Sequence, residues 1–114
     1  MAELILVFKK QVIKRSPFVK DTMSIGRKPD NDIQIDNLAV SGRHAKIDRI
    51  GSDFVLTDLK STNGTFVNNQ KVSTCKLKHK DQIQIGKHIV LFNEREVDAI
   101  EEEEARSVGL ILLQ

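Results

Sequence analysis

This sequence predicts an all-β chain, an antiparallel β-sandwich, and three observations carry that prediction. Short stretches of strand length follow one another closely, turn residues separate them, and no helical stretch interrupts the series before residue 93. The first stretch is ELILVF (3–8), a short apolar run. Ser16-Pro17 marks a turn ahead of TMSIG (22–26), and Pro29-Asp30-Asn31 divides that stretch from DIQI (32–35). HAKIDRI (44–50) and DFVLTDL (53–59) have only Gly51-Ser52 between them and read as the arms of a hairpin. TFV (65–67) lies between Asn63-Gly64 and Asn68-Asn69, and QIQIG (82–86) and HIVLF (88–92) meet at Gly86-Lys87. Several of these alternate apolar and polar residues, Ile83 with Ile85 and Phe54 with Leu56 among them. There is no internal repeat, and the low-complexity segment is Glu101 to Glu104.

With 114 residues the chain is long enough for one core and too short for two, and the expected division is a sandwich over 1–93 and a tail over 94–114. The apolar run in MAELILVFKK is too short for a signal peptide, and nothing approaches the length of a membrane span. Cys75 is the single cysteine, so no internal disulfide forms and a reducing, cytoplasmic setting fits. Asn63-Gly64-Thr65 is formally a glycosylation sequon, which carries little weight without a secretion signal. The net charge of +2 hides an asymmetry: residues 1–93 hold 16 Lys and Arg against 9 Asp and Glu, whereas residues 94–114 hold 2 against 7. A basic body suits an anionic partner, although its charges are mostly interleaved.

Connectivity decides which loops meet. The hairpin over 44–59 has arms of about seven residues, roughly 20 Å each, so the loop entering it (37–43) and the loop leaving it (60–64) share one end of the sandwich. Ser41, Arg43, Thr62 and Asn63 are therefore expected neighbours. Arg27 ends an earlier strand, and DIQI is too short to cross the sandwich, so Arg27 is expected at the same end.

Such a cluster suits a phosphate. Arginine offers paired, permanently charged donors, and hydroxyls and loop amides add further hydrogen bonds of ~1.5–3 kcal/mol each to a charged group. Three or four of these hold a dianion at micromolar strength once the cost of association is deducted. Asn63 both donates and accepts, which suits a peptide backbone beside the phosphate. On the residues alone the plainer alternatives stay open: a surface cation at Arg27, a cap or turn at Ser41, a hairpin turn at Asn63-Gly64.

The set Gly26-Arg27, Ser41-Gly42-Arg43-His44, Asp58, Ser61-Thr62-Asn63-Gly64-Thr65 and Asn68 resembles the forkhead-associated (FHA) domain, from about Met23 to Phe92. The order, the spacing and the DLxSTNGTFVN match make the resemblance specific. It implies an eleven-stranded β-sandwich whose loops bind phosphothreonine peptides at one end. It further implies that Arg27 and Ser41 bind the phosphate, that Thr62 lies beside the phosphothreonine, and that Asn63 hydrogen-bonds the ligand main chain. Gly26, His44 and Gly64 become structural supports, His44 bracing the loop that presents Ser41. The residue after the binding serine is often polar or basic in the family. Here it is Gly42, and Arg43 is included as the phosphate contact that compensates. His79-Lys80-Asp81 stands where the family often has Asp-Gly-Asp. The family's preference for threonine over serine implies an apolar niche for the γ-methyl, worth ~0.8 kcal/mol.

The partner implied is a threonine-phosphorylated protein or peptide, made by a Ser/Thr kinase, in signal transduction through protein–protein interaction. Ser41, His44 and Asp58 have the residue types of a hydrolase triad but lack the nucleophile elbow, so no enzyme is expected. His44, His79, His88 and Cys75 lack metal-ligand spacing and there is no P-loop, so no cofactor or metal is expected either. The rival is a nucleic-acid-binding β-domain using Lys76, Lys78, His79 and Lys80; the absence of Trp and Tyr for base stacking argues against it. The tail has helix-forming composition over NEREVDAIEEEEAR and then the apolar VGLILLQ, and is expected as a short helical or extended appendage. One reading lets its glutamates visit the phosphate site of its own or a neighbouring molecule, a tail-mediated self-association.

Overall fold

The protein is described by a computed structural model covering residues 2–94. Its strands are β1 (Ala2–Phe8), β2 (Gln11–Pro17), β3 (Thr22–Gly26), β4 (Ile33–Gln34), β5 (Ala45–Ile50), β6 (Asp53–Asp58), β7 (Thr65–Val67), β8 (Gln70–Val72), β9 (Thr74–Lys76), β10 (Gln82–Ile85) and β11 (His88–Glu94). These are the eleven strands of the expected sandwich, in a six-stranded sheet β2-β1-β11-β10-β7-β8 and a five-stranded sheet β4-β3-β5-β6-β9. The tail beyond Glu94, its expected conformation and the self-association read from its glutamates lie outside the described residues.

Alternation builds the core. Met23 and Ile25, Ala45 and Ile47, Phe54 and Leu56, and Ile83 and Ile85 each point inward with a half-buried residue between them, and both sheets feed one cluster. Burying a side chain of this size stabilises by ~1.5–3 kcal/mol. Phe54 joins the aromatic contacts of that core, with Phe18 edge-on at 5.0 Å and Phe92 tilted at 5.1 Å.

One expectation is refined and one open alternative closes. The pairing is not wholly antiparallel: β4 runs parallel to β3, with Ile25 opposite Ile33. The chain leaves β3, rounds the 27–32 loop and re-enters in the same direction, tied by Ile35 N–H to the Gly26 carbonyl at 2.8 Å. Asn63-Gly64 is also no hairpin turn. β6 belongs to one sheet and β7 to the other, so 59–64 is a crossing between sheets.

Four turns in which only two residues join paired strands do exist: Lys9-Lys10, Gly51-Ser52, Asn68-Asn69 and Gly86-Lys87. Gly51 and Gly86 take the left-handed region that such turns demand, as do both asparagines. Lys9 and Lys10 also take it, with φ 51 and 65. Side chains with a Cβ occupy that region at a cost of about 1–2 kcal/mol each.

Register places the ends. Ala45 opposite Asp58 puts the loops before β5 and after β6 at one pole. Ile83 opposite Val67 and Val7 opposite Ile89 bring the Gly86-Lys87 and Lys9-Lys10 turns to that same pole. Ala2 opposite Glu94 marks the other pole.

Candidate functional site

Three loops meet at the first pole, and their backbones bind each other before any side chain does. Arg27 N–H donates to the Ser41 carbonyl at 2.9 Å and Lys28 N–H to the Gly42 carbonyl at 3.3 Å. This approach explains Gly26, because a Cβ there would sit 2.2 Å from the Gly42 oxygen. Asn31, buried in the same fold of chain, donates its amide to the Lys28 and Gly42 carbonyls, both at 2.8 Å. Its carbonyl accepts from Arg43 Nη1 at 3.2 Å. Asn31 was invisible as a brace in sequence, where Pro29-Asp30-Asn31 reads as a turn; nothing local marks an asparagine as buried.

His44 is fully buried at 0% exposure and joins the second loop to the third. Its Nδ1 accepts the Ser41 N–H at 3.1 Å. Nε2 therefore carries the proton and donates to the Gly64 carbonyl at 2.8 Å. The imidazole meets the backbone of Ser41 and leaves the hydroxyl alone, so no Ser-His-Asp relay is formed. Asp58 is committed elsewhere: it accepts from Ser61 Oγ at 2.6 Å and Thr65 Oγ1 at 2.7 Å, and Ser61 Oγ accepts the Gly64 N–H at 2.9 Å. Burial pushes the Asp58 carboxyl up, but the bonds donated by Ser61 and Thr65 outweigh it and hold the group below its ordinary value. Ser61 thus faces inward as a staple of the crossing, and Gly64 supplies the left-handed residue, φ 90, that completes it.

Five side chains remain on the rim. Ser41 Oγ accepts the Thr62 N–H at 3.0 Å, so its own hydrogen is free to point outward. Arg27 Nε donates to the Val40 carbonyl at 3.0 Å, fixing the guanidinium beside Ser41 with its terminal nitrogens turned to solvent. Asn63 Nδ2 donates to the Ala39 carbonyl at 2.8 Å, which leaves its carbonyl oxygen and second amide hydrogen available. Thr62 is exposed between them. Arg43 is placed differently: it pairs with Asp30, whose carboxyl it holds below the ordinary value, and leans on Asn31. Leu38, 91% exposed on the same loop, had no sequence signal beyond its position.

The lysine patch of the rival reading lies away from this rim. Lys76 is 3.7 Å from Asp53, and His79 Nδ1 accepts the Glu94 N–H at 3.0 Å. Among the described residues no group of three or more His, Cys, Asp or Glu side chains is arranged for a metal, and no helix is long and apolar enough to cross a membrane.

The family model of the FHA domain matches residues 23–86. The chain belongs to the FHA domain family. It is 42% identical over 88 residues to the glycogen accumulation regulator GarA of Mycolicibacterium smegmatis, covering 71% of this chain and 56% of that protein. It is 41% identical over 88 residues to the oxoglutarate dehydrogenase inhibitor of Corynebacterium jeikeium, covering 71% of this chain and 61% of that one. The chain thus spans little more than half the length of these relatives. Among solved structures, Mycobacterium tuberculosis EmbR in complex with a low affinity phosphopeptide superposes with a TM-score of 0.72 at 33% identity, covering 81% of this chain and 24% of EmbR. The FhaA FHA domain complexed with the intracellular domain of Rv3910 gives 0.75 at 30%, covering 82% and 100%. FHA domains of this kind are binding and regulatory modules.

Proposed function

We propose that this FHA domain binds threonine-phosphorylated proteins or peptides, recruiting kinase substrates in signalling, with the rim of Arg27, Ser41, Thr62 and Asn63 as the receptor. The observation that carries the reading is the division of labour at Ser41. Its oxygen is used internally by the Thr62 N–H while its hydrogen is left over, next to a guanidinium already anchored on Val40. A phosphate seated there meets donors that need no rearrangement, which lowers the entropic cost of binding. Asn63, held by Ala39, offers the ligand backbone one acceptor and one donor. Arg43 adds its charge beside the pocket while braced on Asp30 and Asn31, so it ranks below Arg27 as a contact. Gly26, His44 and Gly64 support the receptor without touching the ligand.

The phosphopeptide complex of the related EmbR supports the same reading. We assign this chain a non-enzymatic, cytoplasmic role. Nothing in the geometry favours nucleic acid, because Lys76 and His79 are engaged by Asp53 and Glu94.

The test is a titration with phosphothreonine, phosphoserine and unmodified versions of one peptide. The phosphothreonine form binds tightest and the unmodified form is lost. Arg27→Ala removes charged hydrogen bonds of ~1.5–3 kcal/mol, so affinity falls about 10- to 100-fold while Arg43→Ala costs less. Equal affinity for parent and Arg27→Ala would overturn the assignment.

A further inference from the structure

We propose that the rim holds a second anion subsite, formed by Lys9, Lys10 and Lys87, that takes an acidic flank of the same threonine-phosphorylated ligand; the proposal rests on the phosphothreonine reading above. Its first support is position. Phe8 stacks on His88 with ring centroids 4.3 Å apart, which sets the Lys9-Lys10 turn beside the Gly86-Lys87 turn. Lys9 Nζ lies 5.4 Å over the Phe8 ring, so its ammonium is held at the rim by a cation–π contact. A Cβ on Gly86 would meet Val40 Cγ2 at 3.4 Å and Ala39 Cβ at 3.6 Å. The second turn therefore abuts the very loop whose Ala39 and Val40 carbonyls anchor Asn63 and Arg27. One ridge joins the phosphate receptor to the three lysines, and exposed Leu38 stands on it.

The second support is conformational. Of the four two-residue hairpin turns, three place Gly or Asn in the left-handed region, as the geometry demands; this one places two lysines there. Adjacent like charges in a strained turn oppose the free fold twice over, and such violations of local preference gather at functional sites. All three lysines are exposed, and among the described residues none is in an ion pair, so their charges are open to a ligand.

The chemistry of the ligand follows from the donors. Ammonium groups on long stems are point charges without a fork and without supporting backbone amides, so they suit a run of glutamate or aspartate rather than a second oriented phosphate. An extended peptide advances ~3.3 Å per residue, so a flank of five or six residues reaches roughly 17–20 Å from the phosphothreonine.

The experiment uses the full chain and three peptides sharing one phosphothreonine core. One carries four glutamates beginning about five residues before the phosphothreonine, one carries them after it, and a control carries glutamines. We expect one glutamate peptide to bind about 5- to 10-fold tighter than the control at low salt, the advantage shrinking as salt rises. The variant Lys9→Asn/Lys10→Gly/Lys87→Gln relaxes the turn, and we expect it to melt higher than the parent, which a melting curve checks before binding is measured. It should bind the glutamine control as the parent does and show no preference for glutamate. Equal binding of all three phosphopeptides by the parent, or a glutamate advantage that survives in the variant, overturns the subsite alone. If no phosphopeptide binds at all, the phosphothreonine reading fails and the subsite falls with it.

Discussion

His44 shows how a residue can support the proposed binding rim without reaching it. Each ring nitrogen satisfies one backbone group from a different loop, and the ring that joins them is fully buried. His44→Phe keeps an aromatic ring in place and strands an amide and a carbonyl. Each orphaned group costs about 1–3 kcal/mol, so we expect a loss of roughly 2–5 kcal/mol in urea denaturation, with weaker phosphopeptide binding in whatever remains folded. A loss below about 1 kcal/mol would mean that the loops hold together by other means. Residues of this kind differ in how far sequence reveals them. Arg27, Ser41 and Asn63 are legible because a spaced pattern points to them and because topology brings their loops together. Asn31 and the Arg43–Asp30 pair are not, since both depend on how the 27–32 loop closes on Gly42, a tertiary event without a local signature.

At the level of elements, most strands are legible and β2, β8 and β9 are not. β2 exposes most of its residues at a sheet edge, and β8 and β9 have three residues each, so periodicity has nothing to register there. The crossing after β6 is the informative case. Asn63-Gly64 carries the usual signal of a hairpin, but Asp58 gathers Ser61 and Thr65 and turns the segment toward the other sheet. That gathering depends on charge. The folded-state value of Asp58 is depressed, so its contribution is complete above the ordinary carboxylate value and is lost as pH falls through the lower, folded one. Asp32, also held low against burial by Lys20 and Ser24, acts in the same direction. Melting temperature should thus be flat above about pH 5 and decline below about pH 4, and Asp58→Asn should melt lower at neutral pH with a shallower acid decline. An unchanged acid decline in Asp58→Asn would remove the carboxylate from this role.

For the whole molecule, the two poles have different jobs. The proposed ligand rim gathers the loops over 27–32, 37–43 and 59–64 and the turns at Lys9-Lys10 and Gly86-Lys87, while the ladder of β1 and β11 finishes at the other end with Ala2 facing Glu94. β11 alone separates them by about 20 Å. Net basicity of the body was readable from composition, but which of its cations share the rim required the strand order. A carrier protein joined before Ala2 or after Glu94 is therefore attached behind the receptor, and either fusion should bind phosphopeptide within about twofold of the free domain.

Because Ala2 and Glu94 sit side by side, a sandwich cut at those two residues can be spliced into a longer polypeptide as a lateral bud. Its neighbours would be separated by little more than one strand spacing, and the docking face would still look outward, whichever of them moved.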